Sequence, residues 1–184
     1  MRPTDTLKHE HQIILLALGA IGREMHQIQA GGPLSEERVG QMIDFIRNFA
    51  DRCHHAKEEK LLFVRMQERG MPLHAGPLAV MLQEHDEGRR LVRAAAEALP
   101  RAASGDTTAT TTLATSLLTY VQLLRAHIDK EDNILYPMAD QMLTAADQAG
   151  LAAAFDRVEA EEMGEGTHER YHQLAHEWAG QPYK

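Results

Sequence analysis

Two ten-residue stretches of the chain repeat one chemical pattern, HHAKEEKLLF at 54–63 and HIDKEDNILY at 127–136. Each sets a histidine four residues ahead of a glutamate, His54 with Glu58 and His127 with Glu131. On a helix that spacing puts both side chains on one face. A second shared element, Glu-His, stands ahead of each block: His11 precedes His54 by 43 residues and His85 precedes His127 by 42. Four imidazoles and two carboxylates, three from each half, suggest a site of pseudo-twofold symmetry. Imidazole and carboxylate without thiolate suit iron, zinc or manganese. Two carboxylates can bridge two cations and offset part of their charge. Burying Glu58 and Glu131 as bare anions would be very costly, and metal coordination removes that cost. The competing reading is two solvated surface pairs, with Lys57 and Lys130 making local contacts. A single H-x-x-x-E would favour it; two copies in one frame favour a two-metal centre.

Such a site needs helices to carry it. The first is predicted from about Thr4 to Gln29, with Leu7, Ile14, Leu15, Leu18, Ile21, Met25 and Ile28 at three- and four-residue steps, ending at Gly31-Gly32-Pro33. Ser35 is a good N-cap for the second, which runs to about Arg69 through Val39, Ile43, Ile46, Phe49, Cys53 and Leu62. Pro77 opens the third, which ends near Leu99, and residues 100–108 form a connection. The fourth runs from about Thr110 to Tyr136, where Pro137 ends or kinks it. A fifth covers about Asp147 to Trp178, with Gly164 and Gly166 as candidate breaks. No stretch alternates with period two. The expected fold is all-α: an up-down-up-down four-helix bundle over about 4–142 with an additional C-terminal helix, in a single domain.

Composition agrees. Ala, Leu, Met, Gln and Glu are abundant and aromatic residues make up 5% of the 184 residues, which favours helix over sheet. A net charge of −8 excludes the basic footprint of a nucleic-acid binder. Cys53 is the sole cysteine, so no disulfide framework exists and a reducing compartment is implied. The apolar run from Ile13 to Ile21 is too short to cross a bilayer and poorly flanked for a signal peptide, so a cytoplasmic location without membrane attachment is expected.

The string His11 … His54-x-x-x-Glu58 … His85 … His127-x-x-x-Glu131 resembles the hemerythrin-like, or HHE cation-binding, family over roughly residues 5–140. The resemblance implies a four-helix bundle holding two irons, bridged by both glutamates and an oxo or hydroxo group. It also implies His11 and His54 on one half of the site and His85 and His127 on the other. Oxygen-carrying members have a fifth histidine, from His-x-x-x-His on the third helix, and an Asp on the fourth. Here Arg89 stands four after His85 and Glu131 takes the fourth-helix position, so one imidazole is missing and reversible oxygen carriage is put in doubt. The pattern looks instead like the wider group, associated with iron sensing, nitric oxide or oxygen response, and peroxide decomposition. The ferritin-like Glu-x-x-His spacing does not match.

Other residues invite readings of their own. His168-Glu169-Arg170-Tyr171-His172 spells H-E-x-x-H, with His176 as a third candidate, the zinc-protease arrangement. So close to the C-terminus, it leaves little chain for a cleft. A more interesting option has the fifth helix lidding the bundle, with Glu159, Glu161, Glu162, His168, Tyr171 or His172 standing in for the missing imidazole. His55 lies about 100° around the helix from His54 and reads as a supporting or exposed residue. Cys53 reads as a buried, inert thiol, and His9, His26 and His74 as surface residues. The functional expectation is a di-iron protein that reacts with or senses O2, NO or H2O2, with catalase-like peroxide decomposition as the enzymatic form. A regulatory module without turnover is the alternative.

Overall fold

The computed structural model describes residues 1–160 and 166–182, and every regular element among them is helical. Helix α1 (Pro3–Gln29) opens on a first-turn proline and stops at Gly31, whose φ of 85° needs a residue without a Cβ. The second bundle helix is composite. It joins α2 (Glu36–Phe45), π-helical stretches at Ile46–His55 and Glu58–Leu62, and α3 (Phe63–Glu68). Ser35 caps its start, accepting from the Arg38 amide at 3.3 Å.

Helix α4 (Gly76–Ala103) forms the third bundle member. It runs through Pro100, which the sequence reading placed in a connection: one turn from the helix end, the proline disturbs few hydrogen bonds. The fourth member joins α5 (Thr107–Lys130), a π-helical stretch at Glu131–Leu135, and α6 (Tyr136–Met142). Asp106, not Thr110, begins it by accepting from the Ala109 amide. Pro137 does not end it, because it falls in the first turn after the π-helical stretch, where a missing N–H is tolerated.

The expected C-terminal helix is divided into α7 (Ala145–Val158) and α8 (Thr167–Ala179). Gly166, at φ 77°, is the left-handed residue that starts α8, while Gly164 lies outside the described residues. Helix α7 is fixed at its start by the reciprocal caps of Thr144 and Asp147, and α8 packs along α1.

Two apolar clusters fill the bundle. One gathers Ile14, Leu18, Phe45, Phe49, Leu113, Leu117 and, from α8, Tyr171 and Trp178. The other gathers Leu7, Leu62, Phe63, Met66, Leu135, Tyr136 and, from α7, Phe155. Along each long helix the stripe passes from one cluster to the other across a buried polar step. His11 lies between Leu7 and Ile14, Glu58 between Cys53 and Leu62, His85 between Met81 and Leu91, and Glu131 between Ile128 and Leu135. The four steps coincide in height, so apolar packing above and below positions one polar layer.

Candidate metal centre

All six side chains singled out from the repeat lie in that layer, none more than 2% exposed. With His55 added, the ligand-capable atoms form two overlapping groups, in each of which every atom lies within 4.8 Å of the others. His11, His54, Glu58 and Glu131 make one; His55, Glu58, His85 and His127 make the other. Glu58 belongs to both, its Oε2 at 3.7 Å from His54 Nε2 and 3.5 Å from His85 Nε2. Glu131 spans them with separate oxygens, Oε2 at 3.3 Å from His11 Nε2 and Oε1 at 3.2 Å from His127 Nε2.

Behind every imidazole stands a carboxylate. His11 Nδ1 meets Asp132 at 2.8 Å, His54 meets Glu10 at 2.8 Å, and His85 meets Glu59 at 2.7 Å. His127 meets Glu84 at 2.8 Å and His55 meets Asp51 at 3.4 Å. A carboxylate can only accept, so each Nδ1 carries a proton, which leaves Nε2 as the nitrogen that a metal would take. The halves match residue for residue. Lys57 donates to Glu10 as Lys130 donates to Glu84, and Glu10 and Glu84 hold the histidines of the composite helices. Glu59 and Asp132, the paired acids of the repeat, hold the histidines of α4 and α1. Thus the Glu-His dipeptide and the lysines, which sequence left without a role, form the outer layer of the site. Lys57 makes no local surface contact: it is fully buried and bonds residues far away in the chain, Glu10 and, at 2.6 Å, Glu159.

Four of the atoms that face the centre lack partners. His54 Nε2, Glu58 Oε2 and both oxygens of Glu131 are buried without a hydrogen bond. His85 and His127 bring their Nε2 atoms to 3.0 Å, a contact that needs positive charge between two nitrogens. Burial, reinforced by the Glu131 charge, pushes the Glu58 carboxyl well above its usual range. Burial would raise Glu131 as well, but the imidazoles of His127 and His11 outweigh it and hold this carboxyl well below. Against its own burial, His127 is lifted to about 9 by the Glu131 carboxylate beside it and by its hydrogen bond to Glu84, while burial pushes His54 down to about 4. The layer therefore draws protons in to balance its carboxylates. Cations among nitrogen and oxygen donors supply that charge and satisfy the orphaned atoms together, so the donor set fits divalent or trivalent metal.

Two residues missed by sequence reasoning complete the layer. His55, assigned to a supporting or exposed position, is 4% exposed and stacks on His85 with ring centroids 3.9 Å apart. The 100° rotation assumed for it belongs to an α-helix. Both rings nevertheless reach the layer from the π-helical stretch Ile46–His55. The signal was present in Asp51, four residues ahead and behind the ring. Tyr136, which ends the second copy of the repeat as Phe63 ends the first, donates to Glu58 Oε1 at 2.6 Å and lies 3.3 Å from His11 Nε2. Phe63 instead stacks on His85, so the halves differ in one hydroxyl.

Arg89, in place of the second third-helix histidine, donates to Asp51 at 2.9 Å and Glu59 at 2.6 Å. It holds the carboxylates that orient His55 and His85. Among the described residues, α8 adds nothing to either group. Tyr171 donates to Asp44, and His172 is buried beside His168, their ring centroids 4.5 Å apart. Glu159 accepts from Lys57, and His168 lies 3.7 Å from Glu10 in a separate cluster with Cys53. That cluster does not join His168 to His172, as the zinc-protease reading requires. Glu161 and Glu162 lie outside the described residues. Cys53 is buried as expected, and burial pushes its thiol up to about 12. His9, His26 and His74 are exposed as expected, and no described helix is long and apolar enough to cross a membrane.

Comparison with known proteins agrees with this geometry. The family model for the hemerythrin HHE cation binding domain matches residues 2–139. Uncharacterized proteins of Mycobacterium bovis and of two strains of Mycobacterium tuberculosis are each 24% identical to the chain over 161 residues. The alignments cover 88% of this chain and 62% of each relative, so the chain spans less than two thirds of their length. No solved structure matches.

Proposed function

Because the chain belongs to the hemerythrin HHE cation-binding family, we propose that its buried layer holds two iron ions and reacts with or senses O2, NO or H2O2. The observation that carries this reading is the pair of ligand groups sharing Glu58, with Glu131 reaching both. His11 and His54 would hold one ion and His55, His85 and His127 the other, with both glutamates common to the pair. Bound iron supplies the redox equivalents. The chain's own residues orient the ligands, exclude water and place a phenol, Tyr136, beside one half. Among the described residues no nucleophile stands in the layer, so any turnover belongs to the metal, and catalase-like decomposition of peroxide is the activity the reading favours.

Histidine and carboxylate donors are shared by iron, zinc and manganese, so metal identity is the first measurement. Purified chain should carry about two irons with near-ultraviolet ligand-to-ferric absorption, and His54→Ala or Glu131→Ala should abolish that absorption. Peroxide added to the iron-loaded chain should release oxygen faster than free iron does. Iron content unchanged in both variants would end the proposal; oxygen release no faster than free iron would end its catalase form and leave gas or peroxide sensing. That form predicts a different proteolytic pattern around α8 with and without iron.

A further inference from the structure

One cavity touches the layer from outside. It has a volume of about 220 Å³ and is half open to solvent between Ile46–His55, α4 and α5. Its inner wall is His55, His85 and His127, the imidazoles of one ligand group only. Each helix supplies a continuous face to it: positions 85, 88, 89, 92 and 93 from α4, and 120, 123, 124 and 127 from α5. Ile46, Val92, Leu123 and Leu124 make the walls apolar, and the missing side chain of Gly88 opens the space, since a Cβ there would lie 3.3 Å from Tyr120.

The charges at the cavity are unequal. Asp51 and Glu84 are matched, by Arg89 and by Lys130. Arg89 is itself matched by Asp51, Glu59 and Asp86. Arg47 and Arg93 are exposed and make no ion pair among the described residues. Two uncommitted guanidiniums at an apolar cavity, on a chain of net charge −8, form a local attractor for anions. Volume sets the size of the guest: a cavity of about 150 Å³ accommodates benzene, so this one exceeds the needs of a diatomic gas or peroxide.

We propose that this cavity binds a small monocarboxylate with an aromatic or branched apolar body, its carboxylate at Arg47 and Arg93 and its body against Val92, Leu123 and Leu124. Such a guest would stand between solvent and the His55–His85–His127 half, governing access to it. That consequence rests on the metal reading above, whereas the binding itself does not.

Benzoate is the probe, titrated calorimetrically into the full chain, metal-free and iron-loaded. Saturable one-to-one binding is expected in both forms. It should weaken about tenfold with benzamide, which has the same shape without the charge, and about tenfold in Arg47→Gln/Arg93→Gln, whose changes are at the surface. Gly88→Leu should abolish it. Should that variant fold poorly, the benzamide comparison and the arginine variant decide alone. Benzamide binding as well as benzoate, no saturable binding, or binding to the iron-loaded chain alone would overturn the proposal, the last because it describes coordination to iron. Absence of iron from the native chain would remove the metal reading and leave benzoate binding to be judged separately.

Discussion

Replacing Lys57 by Met tests whether the outer layer is as strained by charge as its geometry implies, and Lys130→Met is its internal control. The two lysines occupy equivalent places in the repeat and make the same bond, to Glu10 and to Glu84. Burial separates them. The Lys57 side chain is 0% exposed and its Glu10 partner 2%, whereas Lys130 and Glu84 are 35% and 19% exposed. Losing Lys57 removes a buried cation from Glu10 and leaves the carboxylate with imidazole contacts to His54 and His168; breaking a buried pair costs about 3–5 kcal/mol. Glu10 can escape by taking a proton, which at pH 7 costs about 3.5 kcal/mol from the gap between that pH and an ordinary glutamate pKa. The smaller figure governs, so Lys57→Met should destabilise the metal-free chain by about 3 kcal/mol, and Lys130→Met by under about 1 kcal/mol because water screens that pair.

Urea unfolding followed by circular dichroism reads the difference directly, as a midpoint lowered by roughly 1–2 M for Lys57→Met and hardly at all for Lys130→Met. The sign with pH follows. In the native chain, burial opposes ionisation of Glu10, but the His168 imidazole 3.7 Å away, the hydrogen bond and charge of His54, and the charge of Lys57 hold it well below its usual range. Its stabilising contribution is therefore present above the unfolded value and lost as pH falls through the folded one. Removing the Lys57 charge moves the carboxyl upward from that position, so the penalty should shrink toward pH 5, where protonating Glu10 costs about 1 kcal/mol. Equal effects of the two substitutions, or a penalty that grows toward pH 5, would refute the reasoning.

Three further outcomes follow from the same geometry. His55→Ala should weaken the His85–His127 half alone, lowering iron content from about two per chain toward one by metal analysis; unchanged content would return His55 to a packing role. Glu10→Gln and Glu84→Gln leave each histidine in place but remove the carboxylate behind it, and should each lower metal affinity 10- to 100-fold in a chelator competition, roughly the range for such supporting groups. Tyr136→Phe removes the fully buried hydroxyl that donates to Glu58, and should cost about 1–3 kcal/mol in urea unfolding of the metal-free chain; a neutral result would show that Glu58 is satisfied otherwise.

The amino-acid sequence determined by itself the helical character, the long elements and the six convergent residues, because these depend on period and repetition. His54 and Glu58 share a face whatever the tertiary structure, and the frame shared with His127 and Glu131 is visible in one line of text. Tertiary structure alone decided what those residues meet. The partnerships of Glu10 with His54 and Glu84 with His127 join positions more than 40 apart, and no local rule selects them over solvation. His55 reads from sequence as supporting or exposed, and its burial against the His85 ring depends on where α4 docks, which local sequence does not fix. The division of the C-terminal helix at Gly166, and the attachment of α7 and α8 to different apolar clusters, likewise depend on which surfaces the bundle leaves open. Periodicity fixes the face a side chain occupies, and only the docking of helices fixes its partner.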